Sequence, residues 1–244
     1  MHRRYSILPV LLLLSLALAA TASHAAKMTP SVEPLVGAPQ RIIAATPQNV
    51  NTVCTLGVTD SPAWIVNYIL PPDDKYLTLL DPTACGCTEP GGVLLSNAHI
   101  LLNFPVACSV PISIAVVPAD LADPACPVPV AGAYLCAPVA YNVSVPAAGN
   151  YDVVLPMAVG CCITQKAFLE VTFLTAGTCN TMVRLITSAI CNSCWSYNIY
   201  PGNMDDLCVA IGFPGNPVMY VDGACCDAVP AMRGTWGRLK TLYR

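Results

Sequence analysis

Charge is what this chain has least of. Asp, Glu, Lys and Arg make up 10% of its 244 residues, against roughly 25% in soluble domains. Long surface helices draw on Glu and Lys, so their scarcity argues against a helical protein. Cations are rarest. Between Asn51 and Asp227 there are three, Lys75, Lys166 and Arg184, against thirteen carboxylates. A body this acidic cannot neutralise phosphates, which excludes nucleic acid as a partner. It would sooner attract a cation such as calcium.

Histidine is nearly absent as well. Of three, His2 and His24 lie in the N-terminal segment, which leaves His99. It sits in the apolar run Leu95–Ile100 and reads as a structural residue. There is no GxSxG turn for a serine hydrolase, no DxDxDG loop of the EF-hand kind and no spacing that singles out a glycosidase pair of carboxylates. No residue is assigned a catalytic role, and a secreted hydrolase is the least favoured reading. Beyond residue 26 no charge-free apolar run is long enough to span a bilayer, so no transmembrane anchor is expected.

The N-terminus has what the rest lacks. Residues 1–26 read MHRRYSILPVLLLLSLALAATASHAA. Arg3 and Arg4 form a basic lead. An apolar stretch runs from Ile7 to Ala20, and Ala20-Thr21-Ala22 or Ser23-His24-Ala25 fits a cleavage pocket. This is an export signal, residues 1–25. It places the mature chain outside the cytoplasm, as a secreted, cell-surface or periplasmic protein. A Pro-bearing lead follows over 26–51, then a cysteine-rich body over 52–227, then a basic tail over 228–244. In the tail, Trp236, Leu239 and Tyr243 recur at helical spacing among Arg238, Lys240 and Arg244. The pattern fits a short amphipathic helix, either docked on the acidic body or used in sorting and surface attachment.

All fourteen cysteines lie behind the signal: Cys54, Cys85, Cys87, Cys108, Cys126, Cys136, Cys161, Cys162, Cys179, Cys191, Cys194, Cys208, Cys225 and Cys226. An even number in an oxidising compartment reads as up to seven disulfides. Connectivity stays open, with on the order of 10⁵ possible pairings. In the adjacent pairs Cys161-Cys162 and Cys225-Cys226, neighbours on a strand point to opposite faces, so each member is expected to reach a different partner. Cys191-Asn192-Ser193-Cys194 has redox or zinc spacing. A strand-like run follows it rather than a helix, and a zinc site would need thiolates kept reduced outside the cell. Structural disulfides are therefore expected there too.

Strand-like runs recur along the body, at Ala63–Leu70, Lys75–Leu80, Gly92–Phe104, Pro111–Val117, Ala140–Val145, Tyr151–Ala158, Lys166–Thr175, Met182–Ala189, Trp195–Tyr200 and Val218–Val221. Several alternate. Ile112, Ile114 and Val116 share a face, as do Tyr141, Val143 and Val145. Ala167, Leu169, Val171 and Phe173 face one way, with Lys166, Glu170 and Thr172 opposite. A period of two marks half-buried antiparallel strands. Only Pro118–Pro124 reads as a helical turn. The fold class is all-β: an antiparallel, jelly-roll-like β-sandwich stapled by disulfides.

The run from Val93 to Val221, with its hairpin-like segment YNVSVPAAGNYDVVLP, resembles secreted bacterial β-sandwich domains of the CUB-like or carbohydrate-binding-module kind. The resemblance rests on pattern and spans residues 52–227. It implies a non-catalytic extracellular binding or adhesion module for glycan or cell-envelope material, and it carries over no ligand residue. The low charge also suits a structural, self-assembling surface protein, so an oligomer is an open alternative.

The residues suggest two sites of their own. Asp73 and Asp74 follow two prolines, and Asn203, Asp205 and Asp206 cluster after another, which offers calcium several loop oxygens. Trp195, Tyr197 and Tyr200 could form an aromatic platform for sugar rings, with inward packing as the commoner fate of such side chains. Asn142-Val143-Ser144 matches the N-glycosylation pattern and reads as a chance match.

Overall fold

Alternating apolar residues bounded by Pro, Gly and Asn dictate strands, and strands dominate the molecule. The computed structural model describes residues 29–48, 54–87, 92–179 and 183–226. Among these described residues sixteen strands form two sheets. The nine-stranded sheet holds β1 (Ser31–Pro34), β2 (Gln40–Ile43), β3 (Cys54–Gly57), β4 (Pro62–Asn67), β6 (Val93–Phe104), β10 (Gly149–Pro156), β11 (Cys162–Ile163), β13 (Arg184–Ser188) and β16 (Met219–Cys225). The seven-stranded sheet holds β5 (Asp74–Leu80), β7 (Cys108–Asp120), β8 (Val128–Pro129), β9 (Cys136–Val145), β12 (Ala167–Phe173), β14 (Ser196–Ile199) and β15 (Met204–Asp206). A 3-10 turn, Pro82–Cys85, and a π-helical turn, Leu207–Ile211, are the only helical elements among the described residues.

Pairing is antiparallel except between β2 and β10. The long strand β6 organises the larger sheet: β10 and β11 lie along one side, β16 and β13 along the other. The smaller sheet runs β15-β14-β5-β12-β7, with β8 and β9 both on the far side of β7.

The faces read from the sequence are the faces observed. Ile112, Ile114, Val116, Val143, Val145, Ala167, Leu169, Val171 and Phe173 all point into the core between the sheets, where they meet Ile100, Leu102, Phe104, Val153, Leu155 and Met219. Each large apolar side chain buried there contributes about 1.5–3 kcal/mol. Two details differ. Pro118–Pro124 is not a helical turn, because β7 runs on to Asp120 while β8 pairs with it. The segment YNVSVPAAGNYDVVLP is not a hairpin within one sheet. Its first strand, β9, pairs with β7 and its second, β10, with β6, so the chain crosses the sandwich at Pro146–Ala148. The same crossing joins β6 to β7.

The second face of β12 is buried too. Phe168 packs with Leu77, Val117 and Tyr197 in an outer cluster. Glu170, expected on an outer face, is on that face but buried, 2.9 Å from the Lys75 ammonium.

All fourteen cysteines are paired, and none is free among the described residues. The bonds are Cys54–Cys85, Cys87–Cys225, Cys108–Cys179, Cys126–Cys194, Cys136–Cys161, Cys162–Cys226 and Cys191–Cys208. Each member of the two adjacent pairs reaches a different partner. The two CxxC sulfurs go separate ways, one to Cys208 and one to Cys126, so this motif is neither a redox couple nor a zinc knuckle.

One close approach supports the Cys108–Cys179 bond. Gly177 has φ 60°, and a Cβ there would lie 2.0 Å from the Ser109 carbonyl oxygen. Gly177→Ala should therefore lower the unfolding free energy by about 2 kcal/mol or more. Denaturant titration of the oxidised protein checks this; a change under half that size would show that the turn relaxes freely.

Candidate functional site

Among the described residues one tryptophan is strongly exposed, and it marks the candidate site. Trp195 is 42% exposed and stands just before β14. Asp206 sets its position. One Asp206 oxygen caps the π-helical turn by accepting from Cys208 N at 2.8 Å and Val209 N at 2.9 Å. The other accepts from Cys194 N at 2.6 Å. Cys194 takes a left-handed φ of 67°. Trp195 then rejoins the sheet by accepting from Leu79 N through its carbonyl. The Cys126–Cys194 bond draws the 125–129 segment down over Tyr197, whose hydroxyl donates to the Pro127 carbonyl.

These elements enclose a cleft of about 180 Å³ where β3 of the larger sheet meets β5 of the smaller. Trp195, Leu79 and Pro127 give it apolar walls; Asp81 and Lys166 give it a polar side. Asp81 Oδ1 accepts from the Thr83 main chain and hydroxyl, capping the 3-10 turn. Its Oδ2 lies 3.7 Å from Lys166 Nζ, which also donates to the Pro124 carbonyl at 3.4 Å. So loose an ion pair leaves acceptor lone pairs on Asp81 and N–H donors on Lys166 for a ligand. Below the roughly 300–1,000 Å³ of a drug-sized pocket, the cleft suits a single ring or a chain end.

The three-ring platform expected from the sequence is not assembled. Tyr197 is buried, with its ring edge-on to Phe168 at 5.6 Å. Tyr200 lies half-buried at the β14–β15 turn, where its N–H donates to the Asn203 carbonyl. Trp195 alone presents a face to a ligand. Sequence reasoning missed Asp81 and Lys166, because they converge only through the pairing of strands far apart in the chain.

The expected calcium ligands are dispersed into structural work. Asp74 is fully buried; its Oδ2 accepts from Leu70 N and the Tyr76 hydroxyl, and its Oδ1 from Asn198 Nδ2. Both oxygens of Asp206 are taken, as above. Asp73 stands at a left-handed φ of 65°, and its N–H donates to Phe173. Asp205 lies across the ladder from Asn198. Among the described residues no group of three or more His, Cys, Asp or Glu side chains is placed to hold a metal.

His99 sits in a second polar cluster, on the outer face of the larger sheet. Its Nδ1 meets Asp152 at 3.0 Å and its Nε2 meets Asp222 at 3.3 Å. Tyr220 stacks on the ring at 4.5 Å and Arg41 reaches Asp152 at 3.3 Å. Burial alone would lower the imidazole pKa, but hydrogen bonds to the two carboxylates, and their charge, raise it to about 9. With both nitrogens against carboxylates, the ring has no lone pair to take a proton from a nucleophile. Its partners lie 53 and 123 residues away in the chain, so no local motif could show them.

The model of the family described as "Domain of unknown function (DUF7451)" matches residues 69–223, and the chain belongs to that family. No curated protein matches it. Among solved structures it is similar to the cysteine protease and lectin-like domains of Cwp84, a surface layer associated protein of Clostridium difficile. The identity is 13% and the TM-score 0.42, over 66% of this chain and 32% of that one. The chain thus spans about a third of that structure's length. Among the described residues no helix is long and apolar enough to cross a membrane.

Proposed function

We propose that this member of a family of unknown function is an extracellular, non-catalytic binding module that holds a neutral sugar unit against Trp195. The observation that carries this reading is an exposed tryptophan on the wall of a cleft sized for one ring, with a carboxylate and an ammonium beside it. The C–H face of a pyranose stacks on an indole. Its hydroxyls both donate and accept, which matches an Asp81–Lys166 pair with capacity left on each side. Seven disulfides fit an oxidising compartment, which supports export and an extracellular or cell-surface site.

The test is a panel of neutral mono- and oligosaccharides titrated calorimetrically against the oxidised protein, in calcium and again in chelator. A neutral glycan should bind, and Trp195→Ala should weaken it by about tenfold or more. Asp81→Asn should weaken it by less. No binding across neutral glycans, or binding unchanged in Trp195→Ala, overturns the reading. Binding lost in chelator would add a calcium dependence.

A further inference from the structure

Sheet edges invite pairing, and proteins blunt them with charge, shortness or cover. This molecule blunts most of its edges. β1 carries Glu33, β2 carries Arg41, and β15 carries Asp205 and Asp206; β3 has four residues and β11 two. The exception is β9, Cys136–Val145, ten residues long with no charged side chain. Among the described residues it pairs with β7 alone.

The ladder shows which main-chain groups of β9 are turned outward. The carbonyls of Ser109 and Pro111 accept from Thr178 N and Leu174 N, on the side of β7 away from β9. In a strand, a residue's N–H and C=O point the same way, so Ser109, Pro111 and, two residues on, Ser113 face away from β9. Their partners across the ladder are Ser144, Asn142 and Ala140. These are therefore the non-hydrogen-bonded pairs, and the N–H and C=O groups of Ala140, Asn142 and Ser144 are directed out from the sheet edge. All three residues are exposed, small and uncharged.

The geometry points to β9 as a self-association edge that takes the same strand of a second copy, antiparallel, about a two-fold axis at Asn142. In that register Asn142 faces Asn142 of the second copy and Ala140 faces its Ser144. Three pairs exchange about six main-chain hydrogen bonds. The occupant follows from charge. The body around this edge carries a large excess of carboxylates, so two copies repel wherever they meet through charged surface; β9 brings no charge to the contact. A two-fold axis makes it self-complementary and closed, which gives a dimer rather than a fibre.

Sedimentation velocity of the oxidised full chain over a dilution series tests this. A reversible monomer–dimer equilibrium is expected. Asn142→Pro removes only an outward N–H and fits an edge strand; it should weaken dimerisation about tenfold or more with the unfolding midpoint held. Asn142→Lys, which sets two cations against each other at the axis, should do the same. Mixing it with Asn142→Asp should restore a dimer through opposite charges. A wild-type monomer at every concentration overturns the proposal. So does a dimer indifferent to both substitutions, or one that survives Asn142→Pro and is lost on deleting residues 228–244, which would place the contact in the tail.

Discussion

Asp74→Ala should lower the unfolding free energy by about 3–5 kcal/mol, a large share of what holds a domain of this size together. Asp74 is fully buried and collects three donors through its two oxygens. Truncation does not strand all three equally. The Tyr76 hydroxyl keeps the Tyr68 carbonyl at 3.2 Å, and Asn198 keeps the Lys75 carbonyl at 3.0 Å. The Leu70 N–H loses the acceptor that closes the Leu70–Asp74 turn, so an orphaned, partly buried donor and a small void form the bulk of the cost. Asp74→Asn keeps the shape but turns one acceptor into a donor, and should cost less, about 1–2 kcal/mol.

Both substitutions remove the titrating carboxyl, so the pH dependence of their deficit reports on Asp74 itself. Desolvation raises the Asp74 pKa, with the hydrogen bonds from Leu70, Asn198 and Tyr76 opposing it. A raised acid contributes stability that is full below its unfolded value and is lost as pH rises through the folded one. The deficit of Asp74→Asn relative to wild type should therefore widen as pH falls into the carboxylate range. Urea midpoints at a series of pH values measure it; a deficit that shrinks on acidification would mean that Asp74 is held as a favourable anion.

Asp74 also shows where sequence reading stops. Two acids after two prolines looked like loop oxygens open to calcium. The structure instead uses Asp74 and Asp206 to satisfy buried or terminal N–H groups, which is what short polar side chains do at turns. The long strands were legible because one face of each meets the core, and a period of two survives in Ile112–Val116 and Ala167–Phe173. Not all of the short ones were, although β14 falls inside the expected run Trp195–Tyr200. β1 is exposed along its whole length and β3 has four residues, too few for a period to show. The helical turn expected at Pro118–Pro124 failed because pairing with β8 overrides local preference. The signal segment and the basic tail lie outside the described residues.

Of the candidate site, Trp195 was visible as a residue type at an unusual place. Its environment was not. Asp81, Lys166 and the 125–129 segment come to it through the Cys126–Cys194 bond and the β5–β14 ladder, and disulfide connectivity cannot be read from spacing. The same pairing buried Tyr197 and so dismantled the platform that alternation alone suggested.

His99→Leu should be as damaging as Asp74→Ala, with a different signature. The ring is 4% exposed and stands between Asp152 and Asp222 on the two strands flanking β6. The charged and titratable groups facing it are Asp152 from β10, Asp222 and Tyr220 from β16, and Arg41 from β2 through Asp152. Leucine leaves two partly buried carboxylates sharing one cation, Arg41, with Asn97 still hydrogen-bonded to Asp222, at a cost of about 3–5 kcal/mol near neutral pH. In wild type, a pKa raised from 6.5 to about 9 means stability that is full below pH 6.5 and is lost as pH rises through about 9. The loss is on the order of 3 kcal/mol. Asp222 sets the acid limit. The hydrogen bond from His99 lowers its pKa below 3.8, burial opposes this, and the charges of His99 and Arg41 add to the lowering. Its contribution is present above the ordinary carboxylate value and is lost as pH falls through the lower, folded one. With no free thiol among the described residues to start disulfide exchange, the alkaline limb can be read reversibly. Wild type should lose stability between pH 6.5 and about 9, and His99→Leu should be nearly flat there. Parallel slopes for the two proteins would show that the imidazolium is not what couples β6, β10 and β16.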